Sequence, residues 1–314
     1  MSLPVLVVGA TGALGKNIVK ALLNKGDQVK VSVLVRDIQK LPKEWENKVQ
    51  AFIGDLTQPD SLRRALKEQK AVISVVQGGR DVVIDGQKNL LEAIKESGSV
   101  KHFFPSTFAL DLFQLSGNLA PLGLALRCEF AEYLSANKGD IKITHILNGG
   151  FVEAVFDNLE ILDFKTNTIR IWGDGNTKFD ITTLEDTGRF TAEALLDPNV
   201  GERFECHGEE VSLNELAERL EKALGVELKR DMLGSVEELK TMLEKKLSQD
   251  PNAHLSEQYM LPLVSGVGKL HNLQNSKYPN VKPKSLEQYI AEFRKVSPHD
   301  MKNPDYVGRV KSSN

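Results

Sequence analysis

Cysteine is scarce in this chain: Cys128 and Cys206 are the only two in 314 residues, and they stand at no metal or redox spacing. Both suit a reducing cytosol, where a lone cysteine is most simply a small packing residue. The six histidines, His102, His145, His207, His254, His271 and His299, never fall at ligand spacing, so no metal is expected. No apolar run approaches the roughly 20 residues needed to span a bilayer. The net charge of −3 comes with no long basic run, which argues against nucleic acid or an anionic membrane as partner. The N-terminus runs straight into an apolar strand, leaving no room for a signal or transit peptide, so a cytoplasmic location is expected. There is no internal repeat and no low-complexity segment. What remains is ordinary for a globular protein, 41% hydrophobic and 26% charged, and long enough for a full core.

Against that background one stretch carries information, Pro4-Val-Leu-Val-Val-Gly-Ala-Thr-Gly-Ala-Leu-Gly15. Val5 to Val8 read as a strand buried on both faces. Gly9, Gly12 and Gly15 follow at three-residue spacing, and Lys16 to Lys25 form an amphipathic helix with Ile18, Val19, Leu22 and Leu23 on one face. Strand, glycine turn and helix in that order bring backbone N–H groups and the positive end of a helix dipole to one point. That is an anion site suited to a pyrophosphate, lined by Gly9, Thr11, Gly12, Ala13, Leu14 and Gly15.

The second strand, Val29 to Val35, ends in Arg36-Asp37. An acidic residue about 20 positions past the last glycine would bond the ribose hydroxyls of NAD, whereas an arginine suits a 2′-phosphate. Arg36, with Lys40 one turn on, favours NADP(H); Asp37 next door is the competing group. A short third strand runs from Val49 into Gly54-Asp55, and Asp55 either meets the adenine or caps the turn before the helix from Pro59 to Lys67. Ala71 to Val76 form strand four, followed by Gln77-Gly78-Gly79, a ligand approach or a plain turn. A helix from Asp85 to Ser97 leads to strand five, Val100 to Phe104, and then Pro105-Ser106-Thr107-Phe108.

Strands alternating with helices give a doubly wound parallel α/β sheet, with ligands expected across the carboxyl ends of the strands. That rule collects the glycine turn, Arg36, Lys40, Asp55, Gln77, Gly78, Ser106 and Phe108 on one edge. A helix from Leu122 to Ala136 with a Leu122, Leu126, Phe130, Leu134 stripe precedes strand six, Ile141 to Leu147, which ends in Asn148-Gly-Gly-Phe151. The alternation then loosens. Short strands are expected at 169–173 and 179–183, a helix from near Asp186 to Asp197-Pro198, and capped helices over 212–224 and 235–246. From Ser297 the tail is polar.

Taken together, Gly9-Ala-Thr-Gly-Ala-Leu-Gly15, Leu34-Val-Arg-Asp37, Phe104-Pro-Ser-Thr-Phe108, Asn148-Gly-Gly-Phe151, Gly173-Asp-Gly-Asn176, Asp197-Pro198 and Tyr278-Pro-Asn-Val-Lys282 with Tyr289 resemble the atypical short-chain dehydrogenases, in their NmrA-like and isoflavone-reductase-like branch. The resemblance runs from about residue 4 to residue 295. It implies an NADP(H)-binding Rossmann domain over residues 1–151, a smaller C-terminal α+β region over 152–296 that mainly binds substrate while some segments return to the Rossmann core, and a polar tail over 297–314. Asn148 and Phe151 join the cofactor-side residues on this basis.

Reductases of this branch use a lysine on the helix before strand six. Here that position is Arg127, and no lysine occurs between Lys101 and Lys138. A guanidinium stays charged and is a poor general acid. Arg127 can stabilise an oxyanion or hold an anionic group, or it is an ion-paired helix charge. The pair Tyr278 and Lys282 has the spacing of ordinary short-chain dehydrogenases, but Pro279 and Pro283 deny it the helical turn it needs. Two readings follow. One is an NADPH-dependent reductase of a small conjugated, quinone-like or carbonyl-containing molecule, with Arg127 and Thr107 polarising the acceptor. The other is a non-catalytic NADP(H) sensor acting on a regulatory protein partner.

Overall fold

A computed structural model describes residues 2–115, 121–157, 159–250 and 255–293. Strand β1 (Leu3–Val8) turns into helix α1 (Ala13–Leu23), and β2 (Val29–Val35), β3 (Gln50–Ile53), α2 (Pro59–Leu66), β4 (Ala71–Ser74), α3 (Gln87–Ser97) and β5 (His102–Phe104) continue the alternation. Helix α4 (Leu122–Asn137) precedes β6 (Lys142–Ile143) and β7 (His145–Leu147). The six strands β3-β2-β1-β4-β5-β6 pair in that order, all parallel. This is the doubly wound sheet expected from the alternation.

Along β1 the side chains alternate between two cores. Val5 and Val7 enter the layer shared with α1, while Leu6 and Val8 enter the layer under α2, α3 and α4. All four are 0–3% exposed, which is why the run is continuously apolar. Each such side chain contributes on the order of 2 kcal/mol by leaving water. The α4 stripe behaves as its spacing predicts, with Leu126, Phe130 and Leu134 in the second core; the side chain of Leu122 lies outside the described residues.

Three features depart from the linear reading. Before α3, residues Asp81–Gly86 form a π-helical turn, a geometry that sequence periodicity does not announce. Strand six breaks at Thr144, whose hydroxyl donates to the Gly201 carbonyl at 2.9 Å and meets the His102 ring at 2.9 Å. Its second half, β7, pairs in parallel with a later strand, β12, introduced below.

Beyond residue 149 the elements are short: β8 (Gly150–Phe151), α5 (Val152–Asp157), β9 (Leu162–Asp163), β10 (Thr168–Trp172), β11 (Phe179–Thr182), α6 (Leu184–Leu196), β12 (Arg203–Glu205), β13 (Glu209–Val211), α7 (Leu213–Leu224), β14 (Lys229–Gly234), α8 (Val236–Leu247), α9 (Leu255–Val264) and α10 (Leu286–Phe293). Both predicted capping boxes are present, Ser212 with Glu215 and Ser235 with Glu238. A third apolar core gathers β10, β11, α5, α7 and α9. Two elements return to the first layer instead. β12 pairs with β7 in a separate two-stranded parallel sheet, and α6 packs on α1 so closely that a Cβ on Gly188 would fall 2.7 Å from the Asn17 carbonyl. Lys20–Glu185 and Lys25–Glu193 ion pairs, 3.0 and 2.5 Å, run along the same helix pair. No helix among the described residues is long and apolar enough to cross a membrane. The polar tail and His254 and His299 lie outside the described residues.

Candidate functional site

The parallel register puts every strand's carboxyl end on one edge. In strand order along it stand Asp55, Arg36, the glycine turn, Gln77, the 105–108 segment and Asn148. The crossover from β5 to β6 places the N-terminal turns of α4 at the same edge.

The three glycines of the turn do different things. Gly9 has φ +84°, and a Cβ there would meet the Val75 carbonyl oxygen at 2.3 Å. At Gly15 a Cβ would lie 2.2 Å from the Gly9 oxygen. Both are demanded by backbone packing between β1, β4 and α1. A Cβ on Gly12 would touch nothing closer than 3.4 Å. Gly12 is exposed and stands as the N-cap of α1 with no side-chain cap, and the first turn carries no acid. The first-turn N–H groups of Ala13 and Leu14 have no acceptor within the helix. An uncapped, positively polarised helix end beside an open glycine fits a pyrophosphate. Thr11 and Leu14 flank it, half-buried.

At the end of β2, Arg36 and Lys40 are exposed. The competitor Asp37 is occupied: its carboxylate accepts from the Gln39 N–H at 2.9 Å, capping a short 3₁₀ turn. Asp55 is likewise taken up by its own turn, accepting from the Thr57 N–H and hydroxyl, each at 2.8 Å. The backbone hydrogen bond from Thr57 is the main reason its pKa is held down, with Arg36 adding a smaller electrostatic share. Both bonds fall on Oδ1, so Asp55 makes the turn that the sequence offers as one of its two roles. Gln77 and Gly78 are exposed, and a Cβ on Gly78 would press on Val82 of the π-turn at 3.0 Å.

Two hydroxyls expected to face a ligand are turned inward. Ser106 is 3% exposed; its hydroxyl donates to the Val76 carbonyl at 2.7 Å and its N–H to the Gln87 side chain at 3.0 Å. It straps the ends of β5 and β4 together. Thr107 is fully buried, with its hydroxyl 3.4 Å from the His145 ring. Its hydroxyl also lies 3.4 Å from the Pro105 carbonyl, so it is held by the protein's own groups. Phe108 is buried in the first core. Asn148 is fully buried too, and its Oδ1 has no hydrogen-bond partner. Its backbone carbonyl accepts from the Thr182 hydroxyl at 2.5 Å, and Phe151 follows half-buried. An orphaned buried acceptor at the edge where a ligand is expected calls for a donor from that ligand.

Arg127 lies on the second turn of α4. Its Nη1 donates to the Gly123 carbonyl at 2.6 Å, and its Nε is sealed from solvent without a partner. Burial holds its pKa below the usual arginine range. No carboxylate pairs with it among the described residues. This is not the ion-paired helix charge that the sequence left open.

Sequence reasoning missed several residues around the edge. Glu153 opens α5 two positions past Phe151, and both carboxylate oxygens face the Leu184 N–H at the start of α6, 3.0 and 3.2 Å away. Burial pushes its pKa up to about 7. Tyr259 on α9 approaches Arg127 from the other lobe, and nothing in the local sequence marks it. His207, just past β12, bonds the buried Asp180 at 2.6 Å. By contrast, Tyr278 caps the single 3₁₀ turn Asn275–Lys277 and lies on no α-helix, donating to Asp197 at 2.6 Å, so the Tyr278–Lys282 spacing forms no catalytic pair. Among the described residues no cluster of three or more His, Cys, Asp or Glu is arranged to hold a metal.

The NmrA-like family profile matches residues 1–290. An isoflavone reductase of Glycine max is 27% identical over 320 residues, covering 92% of this chain and 98% of its own. Pinoresinol reductase 1 of Arabidopsis thaliana is 28% identical over 327 residues, covering 92% and 96%. Among solved structures, AtPrR2 with NADP+ and (+)pinoresinol superposes with a TM-score of 0.77 at 26% identity, covering 93% of this chain and 99% of that one. The leucoanthocyanidin reductase–NADPH complex of Vitis vinifera, at 22% identity and a TM-score of 0.77 over 92% and 99%, shares the fold. Sheet order, glycine turn and family profile agree: the chain belongs to the NmrA-like family.

Proposed function

We propose that the protein is an NADPH-dependent reductase of a small conjugated, quinone-like or carbonyl-containing molecule. One observation carries the reading: the uncapped N-terminus of α1, open at Gly12, stands beside a β2 end where Arg36 is exposed and an oxygen of Asp37 is taken by the Gln39 N–H. The relatives named above as reductases, one of them solved with NADP+, support it.

NADPH, when bound, supplies the hydride. The chain's own residues do the rest. First-turn N–H groups of α1 take the pyrophosphate. Arg36, with Lys40, takes the 2′-phosphate, a dianion for which a guanidinium fork is suited. Asn148 offers its orphaned Oδ1 to a donor on the cofactor, and Phe151 packs beside it. Arg127 presents a desolvated positive charge to the acceptor oxygen, where charge builds up as hydride arrives. Residues 152–296 mainly shape the acceptor's side of the cleft, with α6 and β12 serving the Rossmann core.

The absence of any lysine between Lys101 and Lys138 favours a second reading, a non-catalytic NADP(H) sensor. NADPH oxidation measured against a panel of quinones, enones and aldehydes separates the two. The reductase reading expects steady turnover with at least one class. Tight NADPH binding with no turnover for any acceptor would leave the sensor.

A further inference from the structure

A lysine in a reductase cleft can supply both a positive charge and a proton, whereas Arg127 can supply only the charge. The structure offers a second group for the proton. A Cβ built on Gly123 would lie 2.6 Å from the Tyr259 hydroxyl oxygen and 3.3 Å from Arg127 Nη1. The two polar atoms therefore converge on one spot over the first turn of α4. Glycine at 123 is what leaves the notch through which the phenol reaches the guanidinium. Nothing else among the described residues accounts for the pair. Among the described residues Arg127 has only the Gly123 carbonyl as acceptor and no acid, its Nε is orphaned, and the Tyr259 hydroxyl has no hydrogen-bond partner. A half-buried guanidinium whose Nε is sealed from solvent and that has no anion beside it is a costly arrangement, and it becomes favourable when a ligand brings the anion.

We propose that Arg127 and Tyr259 form an oxyanion-receiving pair between α4 and α9, in which the guanidinium takes up the charge developing on the acceptor oxygen and the Tyr259 hydroxyl donates the proton that quenches it. The proposal rests on the reductase reading for its chemistry. As a hydride and its electron pair form the new C–H bond, the carbonyl π pair moves onto oxygen, directly or through a conjugated C=C. The Tyr259 O–H bond breaks and a substrate O–H bond forms. The phenolate left behind sits beside Arg127 and is reprotonated by water. The acceptor class is thereby narrowed to molecules whose reduction places negative charge on oxygen, namely carbonyls, enones and quinones. An isolated alkene does not qualify.

The pair can be tested without turnover, using p-nitrophenolate as an oxyanion probe followed by its visible absorbance, with and without NADP+. Wild type is expected to bind it. Arg127→Gln should weaken binding at least tenfold and Tyr259→Phe about fivefold or more, the range for losing one hydrogen bond to a charged group. Arg127→Lys should largely restore it. Gly123→Ala, which creates no cavity, should displace the phenol and reproduce Tyr259→Phe. NADPH affinity, followed by nucleotide fluorescence, should stay within about twofold in all four variants. With any acceptor the panel identifies, Tyr259→Phe should lower kcat far more than it raises KM. Equal p-nitrophenolate affinity in wild type, Arg127→Gln and Tyr259→Phe would overturn the pair even if turnover is found. Binding that depends on both residues, in a protein that turns nothing over, would support the pair and sink the reductase reading.

Discussion

Replacing Gly15 with alanine is expected to destabilise the fold by roughly 3 kcal/mol or more and to abolish nucleotide binding. The added methyl would stand 2.2 Å from the Gly9 carbonyl oxygen and 2.8 Å from the Ala10 Cα. Both neighbours are backbone, held by β1 on one side and α1 on the other, so neither yields cheaply. Either α1 moves off β1, taking its N-terminus away from the edge, or the turn at Gly9 opens. Gly12→Ala is the matched control. Its methyl meets nothing within ordinary contact distance except the Gly9 oxygen at 3.4 Å, so thermal melting should hardly change. NADPH affinity should nevertheless drop, because the methyl occupies the ligand's side of the turn. Thermal denaturation and NADPH titration of the two variants check this. A Gly15→Ala protein that melts like wild type would mean that the close approach of α1 to the Gly9 turn is not real.

Glu153→Gln should behave in the opposite sense, stabilising the protein by about 1–3 kcal/mol at pH 8 and by nothing measurable at pH 4.5. Burial raises the Glu153 pKa from 4.5 to about 7, the largest of the causes acting on it, and the two contacts with the Leu184 N–H only partly offset that. A carboxyl whose folded pKa lies above its unfolded value binds more protons in the folded state. Its contribution to stability therefore falls as pH rises from about 4.5 through about 7. Glutamine keeps an acceptor for the Leu184 N–H and never ionises. Two histidines push the other way: buried His145 and half-buried His102 are held down to about 4 and about 3 by desolvation. Being neutral in the fold, they withdraw stability as pH falls below about 6.5. Urea denaturation of wild type and Glu153→Gln at the two pH values reads the difference directly. An equal gain at both would assign it to packing instead of charge.

Most of the Rossmann half is legible in the sequence because β1 is a continuous apolar run, β2 and β4 are nearly so, and the helices between them carry clear stripes. Val29–Val35 is read to the residue, and α4 misses by one at its end. The π-turn at Asp81–Gly86 is not legible, since its buried residues Val83, Ile84 and Gly86 also suit the first turn of an α-helix. In the second lobe many strands are two or three residues long, too short for any periodicity, and α9 carries Pro262 inside it. The site divides along the same line. Backbone requirements at Gly9 and Gly15 and the charge at Arg36 are properties of local sequence and could be read. The directions of the Ser106 and Thr107 hydroxyls could not, because Val76 and His145 set them from 30 and 38 positions away. Nor could Tyr259 be matched to Arg127, since only the packing of α9 over the Gly123 notch brings them together.

Titrating the protein with NADPH and with NADH, in wild type and Arg36→Ala, tests the central claim that this sheet edge is an NADP(H) site. The account predicts that wild type binds NADPH at least tenfold more tightly than NADH, as a lost charged contact to the 2′-phosphate implies. Arg36→Ala should bring NADPH down to the NADH level while leaving NADH almost unchanged. Equal affinity for the two nucleotides in wild type, or equal loss of both in Arg36→Ala, would contradict it.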